Sequence, residues 1–190
     1  MSWIQVGPHH FDLLNPRPSQ ISLDQIIPSI FRIPRFLGHT SRPWTVGDHS
    51  IAVAKYLEHI NAPASTILLG LLHDAHEAFI GDIPSPLKGI MEVGGKPFKE
   101  VEAKLQYITE SALIPIELYP TSSDREQVAH ADLCMLEWER REFLPLCETP
   151  WAYPAPSFPF RASEFFTSHT HNHLHFRFRY TQLIQGGPNA

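Results

Sequence analysis

The stretch that decides the fold is Ile67-Leu68-Leu69-Gly70-Leu71-Leu72-His73-Asp74-Ala75-His76-Glu77, closed by Gly81-Asp82-Ile83-Pro84. Its first half is apolar all round, which in a helix marks a central, buried element. Six apolar positions could also make a buried strand. The alanine and leucine content and the later periodicity choose helix. Pro63 suits its first turn, and the helix is expected to reach about Ile80. A carboxylate directly after an apolar run is costly to bury unless it is paired or bound to a metal. Glu77 lies one turn beyond His73 on the same face. His73, Asp74, Glu77 and Asp82 thus gather near one helix end.

Outward from this stretch the pattern stays helical. Thr45 to Ile60 reads as a helix, with Thr45 as N-cap and Asp48 in capping-box position. Val46, Val53, Tyr56, Leu57 and Ile60 form its inward stripe, and His49 lies on that stripe. Phe98, Val101, Leu105, Ile108 and Ala112 repeat at three and four. Ser123 with Glu126 reads as a second capping box, opening a long helix to about Phe143. Its expected inward residues are Val128, Ala129, Leu133 and Leu136. A proline-rich loop follows over Leu144 to Pro159, and a last helix is expected from Ala162 to Ile184. Near the start, Ser22 to Gln25 opens a short apolar segment that Pro28 limits to about a turn. Residues 1–20 read as an extended arm broken at Gly7-Pro8 and Pro16-Arg17-Pro18. Residues 21–185 form one domain, and 186–190 a fraying tail. The class is all-α.

Composition sets the outer bounds. The chain has 190 residues, 43% apolar and 18% charged, with net charge −5. That suits one compact domain and excludes a broadly basic nucleic-acid footprint. No apolar run approaches the ~18 residues of a membrane span, and the first residues do not resemble a signal peptide. Cys134 and Cys147 are therefore expected as reduced thiols in the cytoplasm. Cys134, one turn along the helix of Asp132, reads as a buried structural thiol. Trp44, Trp138 and Trp151 read as core or interface residues. Trp151 could cover a pocket mouth. The 12 histidines ask for a chemical explanation. His169, His171, His173 and His175 would share one face of a strand but spread around a helix; a helix surface or oligomer contact is the favoured reading.

Two further helices each carry one polar residue on an apolar stripe: His49, and Asp132 between Val128 and Leu136. Singly, His49 reads as a satisfied core histidine, and Asp132 as either a buried hydrogen-bonding residue or a ligand. Together with His73 and Asp74 they can meet around one divalent ion. Such nitrogen and oxygen donors suit Zn, Mn, Co or Fe better than thiolate-seeking metals.

His49, then His73-Asp74, then Asp132 resemble the H…HD…D pattern of HD-domain metal-dependent phosphohydrolases. His73-Asp74-Ala75-His76-Glu77 with Gly81-Asp82-Ile83-Pro84-Ser85-Pro86-Leu87-Lys88 is similar to a segment shared by bacterial 5′-deoxynucleotidases and phage-encoded HD phosphohydrolases. Arg32-Ile33-Pro34-Arg35-Phe36-Leu37-Gly38-His39-Thr40, Val46-Gly47-Asp48-His49-Ser50, and Ala131-Asp132-Leu133 with Glu137 and Glu139-Arg140-Arg141 resemble the phage branch, which includes dATP triphosphohydrolases.

The resemblance implies an all-α HD bundle with a metal site between core helices. One catalytic divalent metal (Zn, Co or Mn) would be held by His49, His73, Asp74 and Asp132, with a second ion such as Mg on the phosphates. Hydroxide on that metal would attack the α-phosphorus of a deoxynucleotide. Glu77 would move the proton, and Asp82 would orient the sugar or a water. Arg35 and Lys88 would meet phosphate. Phe36 stands where the deoxynucleotidases carry tryptophan, a departure that bears on sugar selection. The expected activity is hydrolysis of dATP to deoxyadenosine and triphosphate. A 5′-deoxynucleotidase and a non-catalytic nucleotide sensor are the alternatives. A homo-oligomer is expected, with neither nucleic acid nor membrane as partner.

Overall fold

The computed structural model describes residues 2–149, 153–156 and 169–186. Trp151, residues 162–168 and the side chains of His169 and His171 lie outside the described residues. The chain is all-α: α1 Leu23–Ile30, α2 Val46–His59, α3 Ala64–Leu72, α4 Ser85–Lys88, α5 Phe98–Leu113, α6 Ser122–Phe143 and α7 His169–Gln185. Two small antiparallel hairpins complete it, β1 Trp3–Val6 with β2 His9–Asp12, and β3 Glu92–Val93 with β4 Lys96–Pro97. No helix among the described residues is long and apolar enough to cross a membrane.

The core is built where α2, α3 and α6 meet, with α7 packed on α3, α1 and α2. Thr45 caps α2 and Asp48 closes the box, as the sequence predicts. Residues Val46 to Ala54 are buried on every side of α2 because other helices enclose it, whereas Ile60 is 40% exposed just past its end. Gly70 allows α3 to lie against α2: a Cβ there would collide with Leu57 Cδ1. Trp44 and Trp138 are core residues and Cys134 is fully buried, as expected.

Several expectations about local structure need correction. The N-terminal segment is a hairpin, not an extended arm. Gly7, at φ 56°, supplies the turn with Pro8, and Phe11 stacks on Phe79 at 4.2 Å. Pro28 sits inside the eight-residue α1 and does not cut it to one turn; buried Ile26, Ile27 and Ile30 hold the helix against one missing N–H. Helix α3 ends at Leu72, well short of Ile80, and residues Ala75–Ala78 continue as a 3₁₀ turn.

The α6 cap is Thr121 with Asp124, one box upstream of Ser123 with Glu126. Asp124 wins because it also accepts from Ser65 at 3.2 Å and from Thr66, both on α3. Helix α6 accordingly turns Val128, Ala131, Cys134, Met135 and Trp138 inward. Ala129 and Leu133 are exposed and Leu136 is half-buried. The histidine-rich stretch is helix, and Phe176 and Leu183 anchor it in the core.

Burial pushes the Asp124 carboxyl up, but its Thr121, Thr66 and Ser65 donors outweigh this and hold it below the ordinary 3.8. Its stabilisation is therefore present above that value and lost as pH falls through the lower folded-state pKa. Asp124→Asn is expected to cost about 1 kcal/mol at neutral pH. In urea unfolding, the gap to wild type should narrow in acid below about pH 4.

Candidate metal centre

The end of α3 builds the site. The Nδ1–H of His73 donates to the Gly70 carbonyl at 2.8 Å, and Nδ1–H of His76 to the His73 carbonyl at 3.1 Å. Those carbonyls would otherwise accept from the next helical turn, so the ring bonds favour the helix stop. Past it, Asp74 turns toward His73. Helix α2 contributes His49 from across the core, and α6 contributes Asp132.

The four residues that the sequence singles out as ligands do come together. One donor atom each from His49, His73 and Asp74 lies within 4.8 Å of the others. His49 Nε2 stands 3.0 Å from Asp132 Oδ1 and 3.7 Å from Asp74 Oδ2. His73 Nε2 stands 3.1 Å from Asp74 Oδ2 and 3.9 Å from Asp132 Oδ1. Yet among the described residues neither buried Nε2 has a hydrogen-bond partner, so the close carboxylates lie off the N–H direction. Each Nδ1 is engaged elsewhere, so Nε2 is the nitrogen of each ring that faces the carboxylates, and a divalent ion would displace any proton on it. Two imidazole nitrogens and the Asp74 carboxylate form a set that fits a divalent ion, with Asp132 beside the two imidazoles.

The surrounding charges hold this donor set. Burial disfavours the Asp74 carboxylate, but His73, His49 and Arg35 lower its pKa well below the usual range. Burial likewise opposes the Asp132 carboxylate and His49 reverses it. Burial and Arg35 work against a charged His49, while Glu139 and Asp132 push its pKa up to about 9.

The remaining expected residues rim the cluster. Glu77 is 2% exposed, and burial with the Asp74 and Asp82 charges pushes its carboxyl well above the ordinary value. Asp82 is also raised, by burial first. Arg35 is buried, with Nη1 at 3.7 Å from Asp74 and 4.0 Å from Asp82. Lys88 pairs with Glu102 at 2.6 Å and lies 3.9 Å from Glu77. Phe36 places its ring 5.6 Å from the Arg35 guanidinium and has φ 52°, followed by Leu37 at φ 53°. Two consecutive left-handed non-glycine residues are strained. Lys96 and Lys99 are exposed surface lysines.

Three residues escaped the sequence reading of the site: Glu139, His76 and Glu102. Glu139 has no exposed surface. It accepts from His49 Nδ1 at 2.5 Å, Trp44 Nε1 at 2.8 Å and Arg35 Nε at 3.0 Å. Its signal was its place seven residues after Asp132, two turns along the same helix face. His76 and Glu102 lie beside Lys88. A cavity of about 420 Å³ opens on the cluster, lined among others by His73, Asp74, Asp132, Lys88, Gln106 and Arg125. A larger cavity of about 740 Å³, around Arg32, Ser41 and Trp44, shares no residue with the four-residue cluster.

The fold and site define an all-α protein with a buried histidine and aspartate cluster able to hold a divalent ion. The chain belongs to the family of the uncharacterized Escherichia coli protein YfdR, being 31% identical to it over 147 residues, 75% of this chain and 72% of that protein. An uncharacterized protein of Rhodobacter capsulatus is 31% identical over 98 residues, 50% of this chain and 48% of its own length. The chain matches no family model.

Glu139→Gln keeps the size of the side chain but can donate to His49 Nδ1 and disturb its tautomer. It is expected to weaken divalent-ion affinity about 10–100-fold, measured by competition with a chromophoric chelator. Unchanged affinity would show that Glu139 only fills space.

Proposed function

We propose that this protein is an HD-type, metal-dependent phosphohydrolase of deoxyribonucleotides, hydrolysing dATP to deoxyadenosine and triphosphate. The observation that carries the reading is the meeting of His49 from α2, His73 and Asp74 from just past α3, and Asp132 from α6, beside a protonatable buried carboxyl and two cations. His49, His73, Asp74 and Asp132 would hold a Zn, Mn or Co ion, which supplies Lewis acidity toward water and a phosphoryl oxygen.

The chain's own residues account for the other requirements. Water oxygen adds to the α-phosphorus, the bond from phosphorus to the 5′ oxygen breaks, and a proton must reach that oxygen. Glu77 suits this proton delivery, because burial and the Asp74 and Asp82 charges raise its pKa well above the ordinary value, and among the described residues Oε2 has no hydrogen-bond partner. Nη1 of Arg35 faces the cluster while its Nε is committed to Glu139. That geometry lets the guanidinium meet phosphate without leaving its buried pairing. Lys88 adds a second cation on the cavity wall. Asp82 stays near Arg35, placed to orient a sugar hydroxyl or a water.

The purified protein should be incubated with Mn, Co, Zn or Mg and each deoxy- and ribonucleoside mono- and triphosphate, with products separated by chromatography. Deoxyadenosine plus intact triphosphate, formed from dATP far faster than from other substrates, is expected. Phosphate released from deoxynucleoside monophosphates would redirect the reading to a 5′-deoxynucleotidase. Tight nucleotide binding without any product would replace it with a sensor.

Glu77→Gln removes the transferable proton at constant size. It is expected to lower kcat by ~10²–10⁴-fold with little change in KM. A kcat within about threefold of wild type would remove Glu77 from the proton path.

A further inference from the structure

Next to the first cluster stands another group of donors that the proposed hydrolysis does not use as ligands. His76, Glu77 and Glu102 each offer one atom, and these atoms lie within 4.8 Å of one another. His76 is 4% and Glu77 2% exposed. The Nδ1–H of His76 is occupied by the His73 carbonyl, so its Nε2 lone pair is the free one. Among the described residues Nε2 has no hydrogen-bond partner, with Glu102 Oε1 3.8 Å away, and Glu77 Oε2 has none either. Two buried polar atoms left open in one small space mark a place for a further group.

The Lys88 ammonium shows what charge that place accepts. It lies 2.6 Å from Glu102 Oε1 and 3.9 Å from Glu77 Oε1, balancing the two acids without reaching a bond to Glu77 or engaging His76. An ammonium could donate to the Nε2 lone pair, but this one is held on Glu102 and leaves His76 Nε2 open. A divalent ion can engage all three: imidazole with two carboxylates is a donor set for a first-row transition metal. Closing atoms now within 4.8 Å onto ligand distances of about 2.0–2.2 Å needs only small side-chain adjustments.

We propose that His76, Glu77 and Glu102 form a second divalent-cation site, for Zn, Mn or Co, whose built-in competitor is the ammonium of Lys88. The site opens on the same cavity as the first, since His73, His76, Lys88 and Glu102 all line it. It uses none of His49, His73, Asp74 or Asp132. With the ion in place Glu77 would bind it as a carboxylate, and Lys88 would be released toward the cavity.

The test counts ions. Chelator-stripped, full-length protein is titrated with Mn²⁺ and bound metal is measured by equilibrium dialysis. Wild type is expected to take two ions per chain, His76→Ala one, and Lys88→Met two with the second bound at least tenfold tighter. Glu102→Gln, which keeps size and most packing, should also lose the second ion and retain the first; it decides the matter if His76→Ala does not fold. No ion lost on His76→Ala and Glu102→Gln, whether wild type and Lys88→Met bind one per chain or two, would overturn the site. His49→Ala separates this proposal from the hydrolysis reading: an ion that persists there and disappears in His76→Ala supports the second site even if the first cluster binds nothing.

Discussion

A carboxylate with no exposed surface sits at the centre of this molecule, and it has to be fully satisfied or it would unfold the site around it. Glu139 meets that demand by accepting from His49, Trp44 and Arg35. Burial alone would push its carboxyl up; Arg35 and then His49 outweigh burial and keep it ionised. Leaving any partner without the others would strand a charge in a low-dielectric interior. These bonds also join stretches 90 to 104 residues apart in the chain. The segment before α2, the start of α2 and the end of α6 are therefore set by one side chain. Trp44 carries the constraint onward into an aromatic cluster with Phe143 at 4.8 Å and Trp138 at 5.8 Å.

The strained turn at Phe36 and Leu37 follows from the same constraint. Arg35 is fixed at its backbone by the Trp44 carbonyl, 3.0 Å from its N–H, and at its side chain by Glu139. The chain must then reverse within a few residues, and two left-handed residues make the reversal. Strain of that kind persists where the surroundings over-determine the backbone. Here it holds a guanidinium beside two aspartates and an aromatic ring beside the guanidinium. The stop in α3 is a second case of side chains redirecting backbone. His73 and His76 take the carbonyls, and the resulting turn faces both imidazoles toward the cavity.

Much of this was legible in the residues. The Thr45 and Asp48 box, the apolar run ending at Leu72, and the repeat from Phe98 onward each depend on neighbours within a few positions, and each appears in the fold. His49 and Asp132 were conspicuous because they interrupt apolar stripes, and both reach the cluster. Where local rules offered two answers, contacts from afar chose. Ser123 and Glu126 satisfy the capping pattern as well as Thr121 and Asp124 do, but only Asp124 can also take Ser65 and Thr66 of α3. Gly7-Pro8 reads as a break, and becomes a hairpin turn because Phe11 has Phe79 to stack on.

The sequence by itself determined that the protein is helical, where most helices begin, and which polar residues stand on buried faces, because periodicity and capping are short-range properties of the chain. Tertiary structure alone decided that Glu139 fixes His49 and Arg35 together, that Lys88 answers Glu102, and that His76 turns an open nitrogen toward Glu77. Those pairings join residues from different elements. Their cost and benefit arise only once water is excluded, and no local pattern records which distant partner will be there to replace it.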